Sequence, residues 1–137
     1  MRSIDAVPID NFGKSFIQLA LKIYRHIDGY VDAYYGLEEF RERVDESEAV
    51  PPQQLLEAHK RLTEIVPEDD PERLRYLASV LGAMECTIRE LNGEKYDYVD
   101  EVVKLFGISP KLVPEEEFLS VHNDLDTVIP GKNSLAE

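Results

Sequence analysis

An all-α fold, with five to six helices in an antiparallel array, is the architecture that this sequence predicts. Apolar residues recur at helical spacing in six segments, whereas no segment sustains the period-two alternation between hairpin turns that is typical of half-buried strands. Prolines and glycines separate these segments, at positions where helices commonly begin and end. The 137 residues, 43% of them apolar, are enough to build one compact core. We therefore expect a single helical domain over residues 1–137.

The first two helices are predicted on either side of a tyrosine-rich connection. Helical spacing of apolar residues predicts the first helix over residues 11–27, with Asp10 as its cap and Gly29 as its stop. A short second helix is predicted over residues 37–44, because its apolar residues share one face while charged residues occupy the other. That apolar face consists of Leu37, Phe40 and Val44.

The third and fourth helices are predicted to supply the centre of the core. A proline pair at positions 51–52 opens the third helix, and Pro67 ends it. Asp70, followed by a proline, caps the fourth helix, and Gly93 stops it. The apolar residues of the fourth helix alternate steps of four and three, so we expect this stripe to be buried. It consists of Leu77, Leu81, Met84, Ile88 and Leu91.

Two further helices are predicted toward the C-terminal end. The fifth ends at Gly107, and its apolar face contains Val99, Val102, Val103 and Phe106. The sixth follows Pro114 and begins with three acidic residues, which interact favourably with the positive end of a helix dipole. Its apolar positions are Phe118, Val121, Leu125 and Val128.

Charge and cysteine content restrict the partners and the compartment. The 28 acidic and 15 basic residues give a net charge of -13, which would repel nucleic-acid phosphates and anionic lipid surfaces. We therefore expect neither nucleic acid nor a membrane as a partner. The single cysteine cannot form an intramolecular disulfide, and the first residues do not resemble a secretory signal. These features predict a cytoplasmic protein.

The connection between the first two helices is the densest cluster of polar and aromatic side chains. Imidazole, carboxylate and tyrosine groups together can orient a polar substrate or stabilise developing negative charge. In the structural alternative, which we favour, the tyrosine rings pack on the core and the carboxylates brace a bend bounded by glycines. We expect the rings of Tyr34 and Tyr35 to pack against the first helix, with at least one hydroxyl hydrogen-bonded. The candidate functional cluster consists of His26, Asp28, Tyr30, Asp32, Tyr34 and Tyr35.

Three other ionisable residues are weaker candidates. Glu85 lies four residues before Arg89, which predicts a helix-surface ion pair, although a buried Glu85 would be a candidate functional carboxylate. His122 and Asp126 share a helix face at the same spacing and could contribute to a metal site. Because no second pair of ligands lies nearby, we favour an exposed ion pair between them.

The remaining reactive side chains and motifs do not point to catalysis. Cys86 lies in the most apolar helix without a neighbouring histidine or basic cluster, so we predict an inert core thiol. His59 is predicted to be a surface or boundary residue. No Gly-rich phosphate loop and no zinc-protease helix motif are present in the sequence. We therefore assign no catalytic residue, no cofactor-binding residue and no metal ligand.

The segment at 26–36, His-Ile-Asp-Gly-Tyr-Val-Asp-Ala-Tyr-Tyr-Gly, is followed by Leu-Glu-Glu-Phe. Together they resemble the N-terminal region of a family of uncharacterised bacterial proteins. The distinctive part is the run at 32–36, and the similarity returns over residues 125–137. The later half of those proteins carries a His-Glu-Gly-Tyr-Pro-Gly-His-His type segment similar to gluzincin-like zinc peptidases. That segment does not occur in this sequence, so the resemblance transfers no metal ligand to it.

The last four residues, Ser-Leu-Ala-Glu at 134–137, match a capping-box start of another helix. With the resemblance, they suggest the N-terminal module of a larger protein. The leading hypothesis is a non-catalytic helical module that packs on, or shapes the substrate cleft of, a zinc-dependent hydrolase half of the same protein. The alternative is a self-contained domain that binds a protein partner through an apolar groove between helices. A hydrolase that uses Asp28, Asp32 and the tyrosines comes last, because a nucleophile is missing.

If the chain is such a module of a larger protein, some apolar surface should be exposed beside the fifth and sixth helices. A homodimer would be one way to cover it, since isolated monomers seldom expose large contiguous apolar patches. The residues expected there are Val103, Phe106, Phe118 and Val121.

Overall fold

The computed structural model of the protein describes residues 9–129, and the capping box predicted at 134–137 lies outside them. Six helices and no strands occur in this part of the chain, which confirms the all-α fold. Their bounds are α1 Asn11–Tyr24, α2 Glu38–Asp45, α3 Pro52–Thr63, α4 Pro71–Leu91, α5 Tyr98–Phe106 and α6 Glu115–Val128.

The helix ends follow the local chemistry of the sequence. Asp10 accepts a hydrogen bond from the backbone N–H of Gly13, and Asp70 caps α4 by accepting from two backbone N–H groups of its first turn. Gly107 ends α5 with a left-handed φ of 66°. The first helix is shorter than predicted, because tight turns replace the last three expected residues before Gly29, which adopts a φ of 80°. The third helix is also shorter than predicted, because it ends at Thr63, where a turn begins, and not at Pro67.

The main core lies between α1, α3 and α4, which pack directly on one another in the pairs α1–α3 and α3–α4. Four of the five stripe residues of α4 are buried as predicted, with Leu81 3% exposed and Ile88 fully buried, whereas Leu91 is only partly buried at the edge of the core. Leu55 of α3 and Ile23 of α1 are also fully buried against it. Burying one such side chain contributes roughly 1.5–3 kcal/mol, so these contacts stabilise the three-helix arrangement.

A second, smaller apolar cluster holds α2 against α1. It consists of Leu21 from α1 with Phe40 and Val44 from α2, and all three are buried. An ion pair also joins the ends of the two helices, since Arg25 Nη1 lies 3.7 Å from Asp45 Oδ1. The bend at 26–37 is therefore tied down at both of its ends.

The last two helices differ from the first four. Although α5 packs on α4, no residue of α5 or α6 is buried. Among residues 9–129, the thirteen buried apolar side chains lie between Phe12 and Ile88, whereas thirteen of the seventeen exposed large apolar side chains lie between Tyr98 and Ile129. The exposure predicted beside the fifth and sixth helices is confirmed. None of the described helices has the length and apolar character of a membrane span.

Candidate functional site

The predicted cluster in the bend does not converge on one point. His26 is half-buried, and its Nε2 lies 2.7 Å from the carbonyl oxygen of Val50, in the loop before α3. Because a carbonyl only accepts, Nε2 carries the proton in this contact. Tyr30 packs on the main core, and this burial raises the pKa of its hydroxyl. Asp28 is exposed to solvent. These three side chains therefore have separate surroundings.

The two adjacent tyrosines have opposite environments. Tyr34 packs against the cluster that includes Leu21 of α1, and its hydroxyl donates to the carbonyl oxygen of Leu37 at 2.9 Å, as predicted. Tyr35 is 95% exposed, so the prediction that its ring also packs against the first helix was wrong. Gly36 faces the Tyr34 ring closely, because a Cβ there would lie 2.5 Å from Tyr34 Cζ.

A small cavity of about 80 Å³ lies beside Tyr34. Its polar lining includes Asp32, Arg41 and Asp45, so both signs of charge are present. Pockets that bind small molecules usually have volumes of roughly 300–1,000 Å³. This cavity has space for a few water molecules only. The structure thus brings Asp32 and Tyr34 together, in a recess too small for a typical substrate.

Arg89 organises a polar network where the end of α4 meets the segment before α5. Its Nε lies 2.8 Å from Glu85 Oε1, which confirms the predicted pair, and its Nη1 lies 2.8 Å from Glu94 Oε1. The hydroxyl of Tyr96 donates to the other Glu94 oxygen at 2.8 Å. Lys104 Nζ lies 5.1 Å from the centroid of the Tyr96 ring, within cation–π range. This network fastens α5 to α4.

The network shifts the pKa values of its own members. The Tyr96 hydroxyl, followed by Arg89, lowers the pKa of Glu94, because both hydrogen bonds favour the carboxylate. Burial and the Glu94 carboxylate raise the pKa of Tyr96 to about 12. The hydrogen bonds that Arg89 donates to Glu85 and Glu94 raise the pKa of its guanidinium, which stays charged. Both Glu85 and Arg89 are half-buried, and the guanidinium is already occupied by two carboxylates. The geometry is that of a structural clamp.

Cys86 lies on α4, and His59 of α3 contacts α4. Cys86 is 3% exposed, and burial, followed by the charge of Glu90, raises its thiol pKa. A raised pKa disfavours the thiolate that nucleophilic chemistry requires. His59 is 4% exposed, so the prediction of a surface or boundary position was wrong. Its burial is compatible with a polar ring because Nε2 donates to the carbonyl oxygen of Leu81 at 2.8 Å.

The sixth-helix candidates lie on a solvent-exposed face. His122, Asp124 and Asp126 are all exposed, and the predicted ion pair between His122 and Asp126 is not among those formed within 4.0 Å over residues 9–129. Exposed side chains gain little from pairing, since the entropy cost offsets the Coulomb attraction. In the same part of the chain no group of three or more histidine, cysteine or acidic side chains is arranged to hold a metal ion.

The sequence did not predict an apolar groove that lies between α4 and α5 and has a volume of about 530 Å³. Small residues of α4, including Ala78, Gly82 and Ala83, line it together with Phe106 of α5. Tyr30 from the bend also reaches this groove, which is the one contribution of the predicted cluster to it. The sequence signal for this groove was Gly82, in the middle of the most strongly predicted helix. Glycine lowers helix stability, so its presence there calls for a structural reason.

Comparisons of the chain with protein-family profiles, with curated proteins and with solved structures found no match.

Proposed function

We propose that this chain is a non-catalytic helical module that packs against another protein surface through α5 and α6. The observation that carries the proposal is the separation of buried and exposed apolar side chains, with a core that ends at Ile88 and exposed apolar groups concentrated from Tyr98 onward. Exposed apolar surface of this kind is typical of interaction sites. The candidate polar clusters form local contacts and clamps, which agrees with a role other than chemistry.

The resemblance of residues 26–40 supplies the leading candidate for the partner, a zinc-dependent hydrolase half. In this proposal the helical module would position that half or shape one wall of its substrate cleft. The metal and the reacting groups would belong to the hydrolase half. Residues of α5 and α6 would be buried on assembly, with Phe106 and Val121 among them.

The second candidate is a self-contained domain that binds a protein helix. The groove between α4 and α5 favours it, because an apolar cleft lined by small residues accepts the apolar face of an amphipathic helix. Under this proposal the chain needs no hydrolase half.

Titration of the chain with the isolated zinc-hydrolase half of a protein of the resembled family tests the leading candidate. We expect saturable binding by calorimetry that Phe106→Asp and Val121→Asp each weaken at least about tenfold, since a buried charge without a partner costs more than 1.4 kcal/mol. Tyr35→Ser is the matched control, because Tyr35 is 95% exposed and lies outside α5 and α6.

Two results would contradict the proposal. Absence of binding by the wild-type chain would remove the hydrolase half as its partner. Stoichiometric zinc together with turnover of a hydrolase substrate by the purified chain alone would show that the chain is itself an enzyme.

A further inference from the structure

The sixth helix has the pattern of a docking helix. Phe118, Val121, Leu125 and Val128 follow one another at steps of three, four and three residues, which places them along one face. Their exposed fractions are 59%, 56%, 38% and 76%. A helix of 14 residues depends on packing for most of its stability. Its apolar face lacks the contact with buried residues that α1, α2, α3 and α4 obtain from the two apolar clusters.

The groove between α4 and α5 has an open position in the wall that α4 forms. Gly82 lies in its α4 wall, and a Cβ at this position would meet nothing within 4 Å. Nothing in the chain's own packing therefore requires glycine, which costs roughly 0.5–1 kcal/mol relative to alanine in a helix. A glycine at an open position of a helix does allow another backbone to approach closely. The open side of Gly82 therefore leaves space for the close approach of another helix.

The charges of the helix and of the groove are opposite. The sequence of α6 contains Glu115, Glu116, Glu117, Asp124 and Asp126, and neither lysine nor arginine. The formally charged side chain that lines the groove is Lys104. An acidic amphipathic helix consequently finds a favourable charge at the groove edge, whereas a basic one would meet repulsion.

Two prolines lie in the connection between α5 and α6. Residues 108–114 form no regular structure and contain Pro110 and Pro114. Proline fixes its own φ and disfavours the helical region for the preceding residue, so the connection is biased toward an extended path. Exchange of an identical element between two copies of a chain is a low-cost route to a dimer, and an extended connection can carry α6 to a neighbouring copy.

We propose that two copies of this chain exchange their sixth helices, with α6 of each copy seated in the groove between α4 and α5 of the other. The arrangement is a two-fold dimer, because each copy supplies one helix and one groove. It rests on the second candidate function, in which the groove binds a helix, and it names that helix. The dimer contains two equivalent contacts, and each of them buries the exposed stripe of one α6 against the open side of Gly82 in the other copy.

Sedimentation velocity over a concentration series, at moderate salt, measures the association. We expect a concentration-dependent dimer that weakens at low salt, because two chains of net charge -13 repel each other when screening is reduced. Gly82→Leu should block the groove, and Leu125→Asp should disable the helix, each lowering the association constant at least about tenfold. Circular dichroism and thermal melting of both variants verify that the helices are intact, and Tyr35→Ser serves as the matched surface control.

A mixing experiment separates exchange from other dimers. The Gly82→Leu chain retains a normal α6, and the Leu125→Asp chain retains a normal groove. An equimolar mixture should therefore form a heterodimer with one productive contact, while each variant alone stays monomeric. A wild-type chain that is monomeric at all concentrations overturns the proposal, as does a mixture that associates no better than its components.

Cross-linking identifies which copy supplies the helix. In a Cys86→Ala background, Ser79→Cys places a thiol at the groove, and Leu125→Cys places one on α6. A short bifunctional maleimide should give a covalent dimer, whereas a product linked within one chain, or no product, overturns the proposal. A chain that binds the zinc-hydrolase half but never dimerises would contradict the helix exchange and support the leading candidate function. A chain that dimerises but does not bind the hydrolase half would support the exchange and contradict the leading candidate function.

Discussion

The imidazole of His59 in α3 donates from Nε2 to the main-chain carbonyl oxygen of Leu81 in the middle of α4, at 2.8 Å. Both residues are buried, at 4% and 3% exposure. This hydrogen bond joins the two helices at the centre of the core, where each already packs through apolar side chains. It gives a polar ring a fixed partner in an apolar environment, so it specifies how α3 and α4 align as well as contributing stability.

Replacement of His59 by alanine tests this relationship. The variant loses the hydrogen bond and leaves a cavity, so we expect it to lower the free energy of unfolding by about 2 kcal/mol or more. His122→Ala is the matched control, since His122 is exposed on α6 and should change stability by less than about 0.5 kcal/mol. Urea unfolding followed by circular dichroism measures both. Equal costs for the two histidines would refute the role assigned to His59.

The central position of α4 makes a second prediction about stability. Leu81→Ala should lower the free energy of unfolding by about 2–5 kcal/mol, because the transfer of its side chain is lost and the surrounding helices cannot fully close the cavity. Leu112→Ala provides the control, as Leu112 is fully exposed. Chemical denaturation of the two variants checks the difference. A small effect at Leu81 would mean that α4 is not the centre of the core.

The thiol of Cys86 should react slowly in the folded protein. Burial raises its pKa and restricts access, so little thiolate is present at neutral pH. We expect an aromatic disulfide reagent to react with Cys86 on the order of tenfold or more slowly than with an exposed thiol. In a Cys86→Ala background, Arg75→Cys supplies that exposed thiol on the same helix, outside the groove between α4 and α5. Similar rates at the two positions would contradict the burial of Cys86.

The carboxylate of Glu94 should make stability depend on pH. Its pKa is lowered by the Tyr96 hydroxyl and by Arg89, so folding favours the ionised form. Its contribution is complete above the ordinary pKa of 4.5 and disappears as the pH falls through the lowered value. Glu94→Gln should therefore be less stable than wild type at pH 7, and the difference should vanish in acid. Melting curves of both proteins between about pH 2 and 7 measure this difference, because the range spans the protonated and the ionised carboxyl group.

The control for Glu94 is Glu117→Gln. Glu117 is exposed on α6, and no ion pair involves it among the residues that the structure describes. Its substitution should leave the pH dependence unchanged. A Glu94→Gln chain with the wild-type pH profile would show that the Arg89 network does not stabilise the folded state.

The helices were predictable because their signals are local. The cap at Asp70, the stripe through Leu81 and the left-handed Gly107 depend on residues within a few positions of each other, and each was found where the sequence placed it. The end of α1 was predicted three residues too late, since Gly29 marks the end of the turns that follow the helix. Helix spacing alone does not distinguish those turns from a further helical turn.

The environments of single side chains were harder to predict because they depend on distant residues. Tyr34 and Tyr35 are neighbours in sequence, yet only Tyr34 faces the cluster formed by α1 and α2. His59 is buried because a carbonyl oxygen 22 residues later is positioned to accept its hydrogen bond. The Arg89 network was predicted in part, since the Glu85 pair is a local feature and the Glu94 and Tyr96 contacts form beyond the helix end.

Hydrogen–deuterium exchange as a function of protein concentration tests the central claim, that α5 and α6 form a docking surface outside the core. In dilute samples we expect slow exchange for the α3 and α4 amides and rapid exchange for the α6 amides, because α6 has no buried residue. At high concentration, or with the zinc-hydrolase half added, the α6 amides should become protected. Strong protection of α6 at every dilution, without any partner, would contradict the account.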